Sequence, residues 1–339
     1  NFKLVIMKIL VCGGAGFIGS AFIRNYLNNN PENEIINLDS LTIGSNLKNL
    51  KEIEQNKKYQ FINDDIKNQK VIDNLAKNVE VIINFAAESH VDRSIANPKP
   101  FIETNILGTY TLLEATKKYD NLFIHVSTDE VYGDAENEDS FTEKSIINPS
   151  NPYSATKAAA DHLVSSYHRT YGIKCITTRC TNNFGPYQFP EKLIPKTIIR
   201  AKKDLKIPLY GNGEQIRSWI YVYDHVQAIE NLISNGISGR VYNITAWNEI
   251  KNKTIVENIL ELLGKSKNLI EYVDDRPGHD KRYSIDASKI QKEVNWKPKY
   301  DFKESLKDTV EWYEKNYSWW EPLIDEKALH PQPWTLKWE

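Results

Sequence analysis

Six residues into the chain an apolar run, Met7-Lys-Ile-Leu-Val-Cys12, ends abruptly at Gly13-Gly14-Ala15-Gly16-Phe17-Ile18-Gly19. A short run that is apolar on both faces and stopped by glycine predicts a buried strand. The amphipathic stretch that follows, to about Asn28, predicts a helix, and Glu34-Ile-Ile-Asn-Leu38 predicts a second strand ending at Asp39. This is a βαβ unit. Apolar runs at 59–62, 79–85, 122–127 and 174–179 predict further strands, separated by helical patterns, notably over residues 100–119 and 152–171. Such alternation predicts an α/β fold, a doubly wound parallel sheet of the Rossmann type. The helix over 152–171 is also punctuated: Asn151 can cap it, Pro152 suits its first turn and Gly172 lies just past its end.

Beyond about Asn182 the alternation weakens, and loops rich in Pro, Gly and aromatics appear, such as Phe184-Gly-Pro-Tyr-Gln-Phe-Pro190 and Asp275-Arg-Pro-Gly-His279. The division expected is a doubly wound domain over 7–182, to which later segments return, and a smaller substrate-binding domain over 183–325. Five tryptophans near the C-terminus (Trp312, Trp319, Trp320, Trp334, Trp338) read as packing or interface rather than a ligand cage.

Composition narrows the class. At 339 residues the chain can bury a sizeable core, and 40% hydrophobic with 26% charged residues is ordinary for a water-soluble protein. A net charge of −2 excludes a nucleic-acid binder held by a dominant basic field. No apolar run approaches the roughly 20 residues that span a bilayer. The six residues before Met7 read as an expression remnant or start-site artefact, not a signal peptide. Cys12, Cys175 and Cys180 are few, odd in number and set in apolar contexts, as free thiols in a reducing cytoplasm would be. No metal site is expected.

The spacing Gly13-x-x-Gly16-x-x-Gly19 between a strand and a helix points to a dinucleotide. Glycines let the backbone approach a pyrophosphate, and the helix N-terminus beyond favours its charge. Asp39, at the end of the second strand, is placed to accept hydrogen bonds from the adenosine ribose and would repel a 2′-phosphate, so NAD is expected over NADP. Asp65 and Ile66, after the third strand, can flank an adenine. Phe85-Ala86-Ala87 ends the next strand with small side chains that let the cofactor pass near the backbone.

Tyr153 and Lys157, four apart on one helix, leave from the same face. A free tyrosine ionises near pH ~10, and a neighbouring ammonium together with a positive nicotinamide ring is expected to lower that value. Tyr153 can then take a proton from a substrate hydroxyl, with Thr128 as the partner hydroxyl at a strand end. Asp129 and Glu130 follow at the same sheet edge. Neighbouring carboxylates can hold different protonation states, one an acid and the other a base, which suits elimination of water.

Several segments together resemble the extended short-chain dehydrogenase/reductases, and within them the NAD-dependent sugar-nucleotide epimerase/dehydratase family. They are Gly13–Ser20, Ala86–Ser94, Ser127–Gly133, Tyr153–Lys157, Asn182–Pro195 and Asp275–Asp280, spread over about Met7 to Tyr317. The resemblance implies oxidation of a nucleotide-linked glucose (dTDP-glucose) at C4, loss of water across C5 and C6, and hydride return to C6 from tightly bound NAD. Tyr153 would be the base of the first step, with Thr128 on the oxygen. Glu130 would take the C5 proton and Asp129 would protonate the leaving C6 hydroxyl. Further cofactor contacts are implied at Phe17, Ile18, Ser40, Leu41, Thr42, Ser89, Thr104 and Asn183. Substrate contacts are implied at Ser89, Thr128, Asn182, Glu191, Lys192, Leu193, Pro208, Tyr210, Arg217, Asn252, Arg276, His279 and Tyr283. Arg217 and Arg276 suit a diphosphate, because guanidinium forks match its oxygens. Also implied are a cytoplasmic homodimer, paired through the helices over 100–119 and 152–171, and a place in deoxysugar synthesis such as that of rhamnose.

The chain departs from the family pattern at Ile43-Gly44-Ser45, where an aromatic is usual, and at Ser218, where Asp is usual. Three other readings remain: a dehydratase for a UDP- or GDP-linked sugar, a 4-epimerase, which needs no elimination acid or base, and a UDP-glucuronate decarboxylase. A non-catalytic NAD-binding scaffold is a fourth, against which the intact Thr128, Tyr153 and Lys157 speak.

Overall fold

The computed structural model describes residues 6–135 and 139–338. Its strands in chain order are β1 (Lys8–Cys12), β2 (Glu34–Asp39), β3 (Tyr59–Asn63), β4 (Val81–Asn84), β5 (Leu122–Thr128), β6 (Cys175–Cys180), β7 (Asn182–Phe184), β8 (Ile207–Tyr210), β9 (Ile216–Tyr221), β10 (Arg240–Ile244), β11 (Asn248–Lys251) and β12 (Ile270–Val273). Seven of them form a parallel sheet in the order β10-β6-β5-β4-β1-β2-β3. The register sets Leu10 opposite both Ile36 and Ile82, and Ile124 opposite Ile83 and Ile176. The five inner strands are buried on both faces, so they read as largely apolar runs, whereas the edge strand β3 is half-exposed.

One face of the sheet packs through Ile9, Val11, Ile83 and Ile124 against Phe22 and Leu27 of the helix Phe17–Asn29. The other packs through Leu10, Cys12, Ile82 and Phe123 against Leu112 and Leu113 and against Val164. The doubly wound parallel sheet is therefore as expected. The helix Pro152–Tyr171 begins and ends as its punctuation requires. Asn151 Oδ1 accepts from Ser154 N at 2.9 Å, and Gly172 closes the helix at φ 71°. The pattern over 100–119 is helical from Lys99 to Tyr119, widening to a π-type turn over Ile102–Gly108.

After residue 183 the chain returns to the large sheet. The helix Val222–Asn235 packs on Phe17–Asn29, where the Glu230 carboxylate accepts hydrogen bonds from Asn25, Asn29 and Asn30. β10 then pairs with β6 at the sheet edge. The remaining strands make a three-stranded sheet, β11-β9-β7, and a two-stranded one, β12-β8. A second core around Phe184, Trp219, Ile255, Tyr313, Trp319 and Trp320 supports them. Within it, Trp319 donates to Asn49 Oδ1 and Trp320 to the Tyr313 carbonyl. Trp334 stands edge-on to Tyr210, and Trp338 faces the Arg93 guanidinium. Trp312 packs against the Tyr187 and Trp319 rings, so all five are engaged in packing. Cys12, Cys175 and Cys180 are buried free thiols. Among the described residues no helix is long and apolar enough to cross a membrane.

Candidate active site

The strand order reverses between β1 and β4, and open α/β sheets bind ligands beyond the strand ends at such a switch. A cleft lined from both halves of the sheet opens there. The three glycines at its floor differ in role. Gly13 has φ +79°, and a Cβ on it would meet Ala86 N at 2.5 Å; one on Gly19 would meet the Gly13 carbonyl at 2.3 Å. On Gly16 nothing of the chain comes nearer than 3.4 Å, which leaves bare backbone at the start of the helix Phe17–Asn29. Asp39 is buried at the tip of β2. Its Oδ2 accepts from Ala15 N at 2.9 Å and its Oδ1 from Leu41 N at 2.8 Å, so the glycine turn and the carboxylate hold one another in place. Bare backbone, a helix N-terminus and a fixed carboxylate one strand away fit a dinucleotide's pyrophosphate and ribose.

Also on the cleft wall are Phe17, Ile18, Ser40, Thr42, Asp65, Ile66, Phe85, Ala86, Ala87, Ser89, Thr104 and Asn183. Leu41 is not. It is partly exposed at φ 55°, its amide tied to Asp39. Ile43, the departure from the usual aromatic, does line the cleft, whereas Ser218 is buried behind it, paired with Thr245 Oγ1 at 2.8 Å.

Thr128, Asp129, Glu130, Tyr153 and Lys157 meet at the deep end of this cleft. Thr128 is the last residue of β5, and its Oγ1 accepts from Glu130 N at 3.2 Å, which turns the two carboxylates inward. Burial, then the Glu130 charge, pushes the Asp129 carboxyl up to about 8. Burial also raises Glu130, but there the charges of Arg276, Arg217 and Lys192 oppose it. The two acids therefore differ by environment, one favouring its protonated form at neutral pH and the other facing cations. Lys157 donates from Nζ to the Val126 carbonyl at 2.7 Å, and burial draws its ammonium down to about 8.

Tyr153 corrects an expectation. Burial, then the Glu130 charge, holds its phenol well above the ordinary range, against a hydrogen bond from Thr128 that lowers it. The expected lowering counted a Lys157 ammonium and a positive nicotinamide ring together, and with Lys157 alone beside the phenol burial prevails.

The substrate residues divide between two walls. Ser89, Thr128, Asn182, Glu191 and Lys192 share the cleft, where Lys192 Nζ donates to the Ser89 carbonyl at 2.8 Å. The others come from the smaller sheets, two helices and the loop after β12, and of these Arg217, Arg276 and Tyr283 act on Glu130. Tyr283 Oη lies 3.4 Å from Glu130 Oε2 and donates to Asp280 Oδ2 at 2.7 Å, and the Arg217 guanidinium stacks over its ring at 4.2 Å. Arg276 pairs with Asp92 at 2.8 Å, Tyr210 donates to the same carboxylate at 2.7 Å, and His279 stands beside Tyr210, its Nδ1 2.6 Å from Asp275. Leu193 is half-buried at the start of a helix, Pro208 is buried within β8, and Asn252 opens the helix Asn252–Leu262; none of the three lines the cleft.

Sequence reasoning passed over the charges that tie these walls together. Arg93 bridges Glu88 at 2.8 Å and Glu191 at 3.2 Å. Asn105, in the π-type turn, binds both the amide and the carbonyl of Glu88. Glu88, Asp92 and Arg93 lie inside a recognised segment, but which charges meet across 98 residues leaves no local signal.

Comparison with known proteins agrees with this geometry. Residues 10–309 match the GDP-mannose 4,6-dehydratase family. A dTDP-glucose 4,6-dehydratase of Escherichia coli is 47% identical, over 94% of this chain and 97% of its own. The crystal structure of dTDP-glucose 4,6-dehydratase from Bacillus anthracis in complex with NAD superposes at a TM-score of 0.89, with 47% identity over 94% of this chain and all of that one. The Streptomyces venezuelae dTDP-glucose 4,6-dehydratase with NAD bound gives 0.92 at 42% identity, over the same shares of the two chains.

Proposed function

The chain belongs to the GDP-mannose 4,6-dehydratase family, and from that premise we propose that it converts dTDP-glucose to dTDP-4-keto-6-deoxyglucose with NAD in the cleft between β1 and β4. The observation that carries the reading is the buried Thr128-Asp129-Glu130 tip beside Tyr153 and Lys157, because oxidation of an alcohol needs no second pair of acids. The nucleotide assigned follows the relatives at 47% identity, which act on a dTDP sugar.

The turn Gly13–Gly19 would hold the NAD pyrophosphate, Asp39 the ribose, and Asp65 with Ile66 the adenine. When bound, NAD supplies the hydride acceptor at C4 and later the donor at C6, with no net redox change. Thr128 orients the C4 hydroxyl, and Tyr153 takes its proton as the phenolate, a form that the Lys157 ammonium and the positive charge of a bound nicotinamide ring would favour. The resulting ketone makes the C5 proton acidic, since the carbanion left behind is an enolate. Glu130, whose carboxylate faces Arg276, Arg217 and Lys192, removes that proton. Asp129, pushed up to about 8 by burial and by Glu130, carries the proton that turns the C6 hydroxyl into water. Elimination then falls as pH rises through about 8, because Asp129 has lost that proton.

The test pairs two readouts. With dTDP-glucose, the wild-type protein gives a 4-keto-6-deoxy product that absorbs in alkali. The double variant Asp129→Asn, Glu130→Gln keeps C4 oxidation, accumulates reduced cofactor at 340 nm and loses dehydration by about a thousandfold or more. Dehydration at a near wild-type rate in that variant would refute the assignment.

We also infer a homodimer. The helix over 99–119 leaves Ile102, Leu107 and Tyr110 about half exposed, an apolar face suited to a second copy. Light scattering at micromolar concentration checks it. Three buried thiols suit a cytoplasmic location, and the product class suits deoxysugar synthesis such as that of rhamnose.

A further inference from the structure

Behind the reacting groups lies a dry layer of charge that the chemistry above does not use. Tyr153, Lys157 and Asp161 follow one another at successive turns of the helix Pro152–Tyr171. Lys157 and Asp161 are both 3% exposed. The Lys157 ammonium donates to a neutral acceptor, the Val126 carbonyl, so its hydrogen bond supplies no opposite charge. Asp161 Oδ2 accepts from Arg179 Nε at 2.8 Å, while Oδ1 makes no hydrogen bond and stands 3.6 Å from His125 Nε2. Arg179 spends its other arm on Tyr132 Oη at 2.8 Å, which donates in turn to Asn243.

We propose that Asp161 is a positioning residue for the proposed reaction: it is the buried counter-charge of the Lys157 ammonium, and it acts on Tyr153 through that lysine. The inference rests on the roles assigned above to Tyr153 and Lys157.

The groups facing Lys157 leave little else to balance its charge. From its own helix come Tyr153 and Asp161. From β5 come His125 and the Val126 carbonyl, and from β6 come Arg179 and the Cys180 thiol. Asp129 and Glu130 sit beyond Tyr153 at the tip of β5. His125 is neutral, since burial and then the charges of Lys157 and Arg179 push it well below the usual range. Cys180 is a thiol, held up to about 12 by burial and Asp129. Burial weakens the ammonium, and the Asp161 charge is the largest influence acting the other way. Without it, Lys157 and Arg179 would share a dry layer as two uncompensated cations. Of the two, Lys157 sheds its proton, because a guanidinium stays charged. At neutral pH Tyr153 then faces a neutral amine, and the phenolate form that takes the substrate proton loses its charged neighbour.

Asp161 could instead serve only to anchor Arg179, and opposite changes of charge separate the two roles. In Asp161→Asn, the Lys157 ammonium titrates at least about one pH unit lower. This is read from the NMR shift of isotope-labelled lysine side chains, assigned against Lys157→Met. Single-turnover C4 oxidation at neutral pH falls about tenfold or more and recovers as pH rises, with KM for the nucleotide sugar unchanged. In Arg179→Met the competing cation is gone and Asp161 is left to Lys157, so both readouts move the other way. A purely structural Asp161 would move both variants in the same direction. That outcome, or an Asp161→Asn protein with the Lys157 titration unmoved and C4 oxidation within twofold of wild type, overturns the proposal. If Asp161→Asn does not fold, the direction of the Arg179→Met shift decides. The Lys157 titration needs no substrate, so it stands even if dTDP-glucose proves not to be turned over, which would count against the assigned function alone.

Discussion

The two ends of the cleft are built on different principles. At the dinucleotide end, a single turn of backbone does the positioning. Gly13 through Gly19 and Asp39 are joined by short local hydrogen bonds, and little else need be in place. At the sugar end, the groups come from β8, β9, the loop after β12 and the short helix Val91–Ala96, and they are held by charge: Asp92 to Arg276, and Arg93 to Glu88 and Glu191. The first end tolerates no change of backbone shape. The second tolerates no unbalanced charge.

The sharpest break of this contrast is Gly13→Val. A side chain at φ +79°, 2.5 Å from Ala86 N, strains the turn itself. Loss of retained NAD is expected, with destabilisation of about 3 kcal/mol. Cofactor content after purification and thermal melting check both. A variant that folds and keeps NAD would show that the turn is less rigid than its contacts imply.

Asp92→Asn tests the other end. It leaves Arg276 buried beside a neutral amide, at a cost of about 3 kcal/mol, and weakens binding of the nucleotide sugar while retained NAD is unchanged. The pH dependence follows from the sign of the shift. Burial alone would raise Asp92, but Arg276, then His90 and Tyr210, hold it well below the ordinary carboxylate range. A depressed carboxyl contributes stability above its unfolded value, near pH ~4, and loses it as pH falls further. The gap between wild type and Asp92→Asn therefore narrows below pH ~4, as melting curves across that range will report.

The smallest effect is expected from Leu41→Gly. Leu41 sits at φ 55°, off the cleft wall, so glycine relieves strain but removes no ligand contact. A stability change within about 1 kcal/mol and unchanged NAD retention are expected. Loss of NAD in this variant would mean that the Leu41 side chain touches the cofactor.

The same contrast governs what one sequence reveals. The glycine turn, Asp39 and the capped helix Pro152–Tyr171 were legible because local backbone geometry demands particular residues at fixed spacing. Tyr153 and Lys157 were legible for the same reason. Their ionisation was not, because burial is a property of the whole fold, and it reversed the expected shift of the phenol. Arg217, Arg276 and Tyr283 could be named only through family resemblance, since nothing near them in the chain predicts that they converge on Glu130. The pairing of Arg93 with Glu191 was invisible, and a return of later segments to the first sheet was expected without the strand that makes it, for a related reason: both join parts of the chain far apart in sequence.

That late return of β10 has a consequence for how the molecule is made. While the ribosome has emitted only the first 182 residues, the hydrogen-bonding edge of β6 is bare, and the apolar face later covered by Val226, Ile229 and Leu232 is open to water. Nascent chains at that stage are the ones most exposed to wrong pairing and most in need of a chaperone. Stalled or truncated products ending before Ile244 should accumulate as aggregates, whereas release of the remaining segment lets the sheet close.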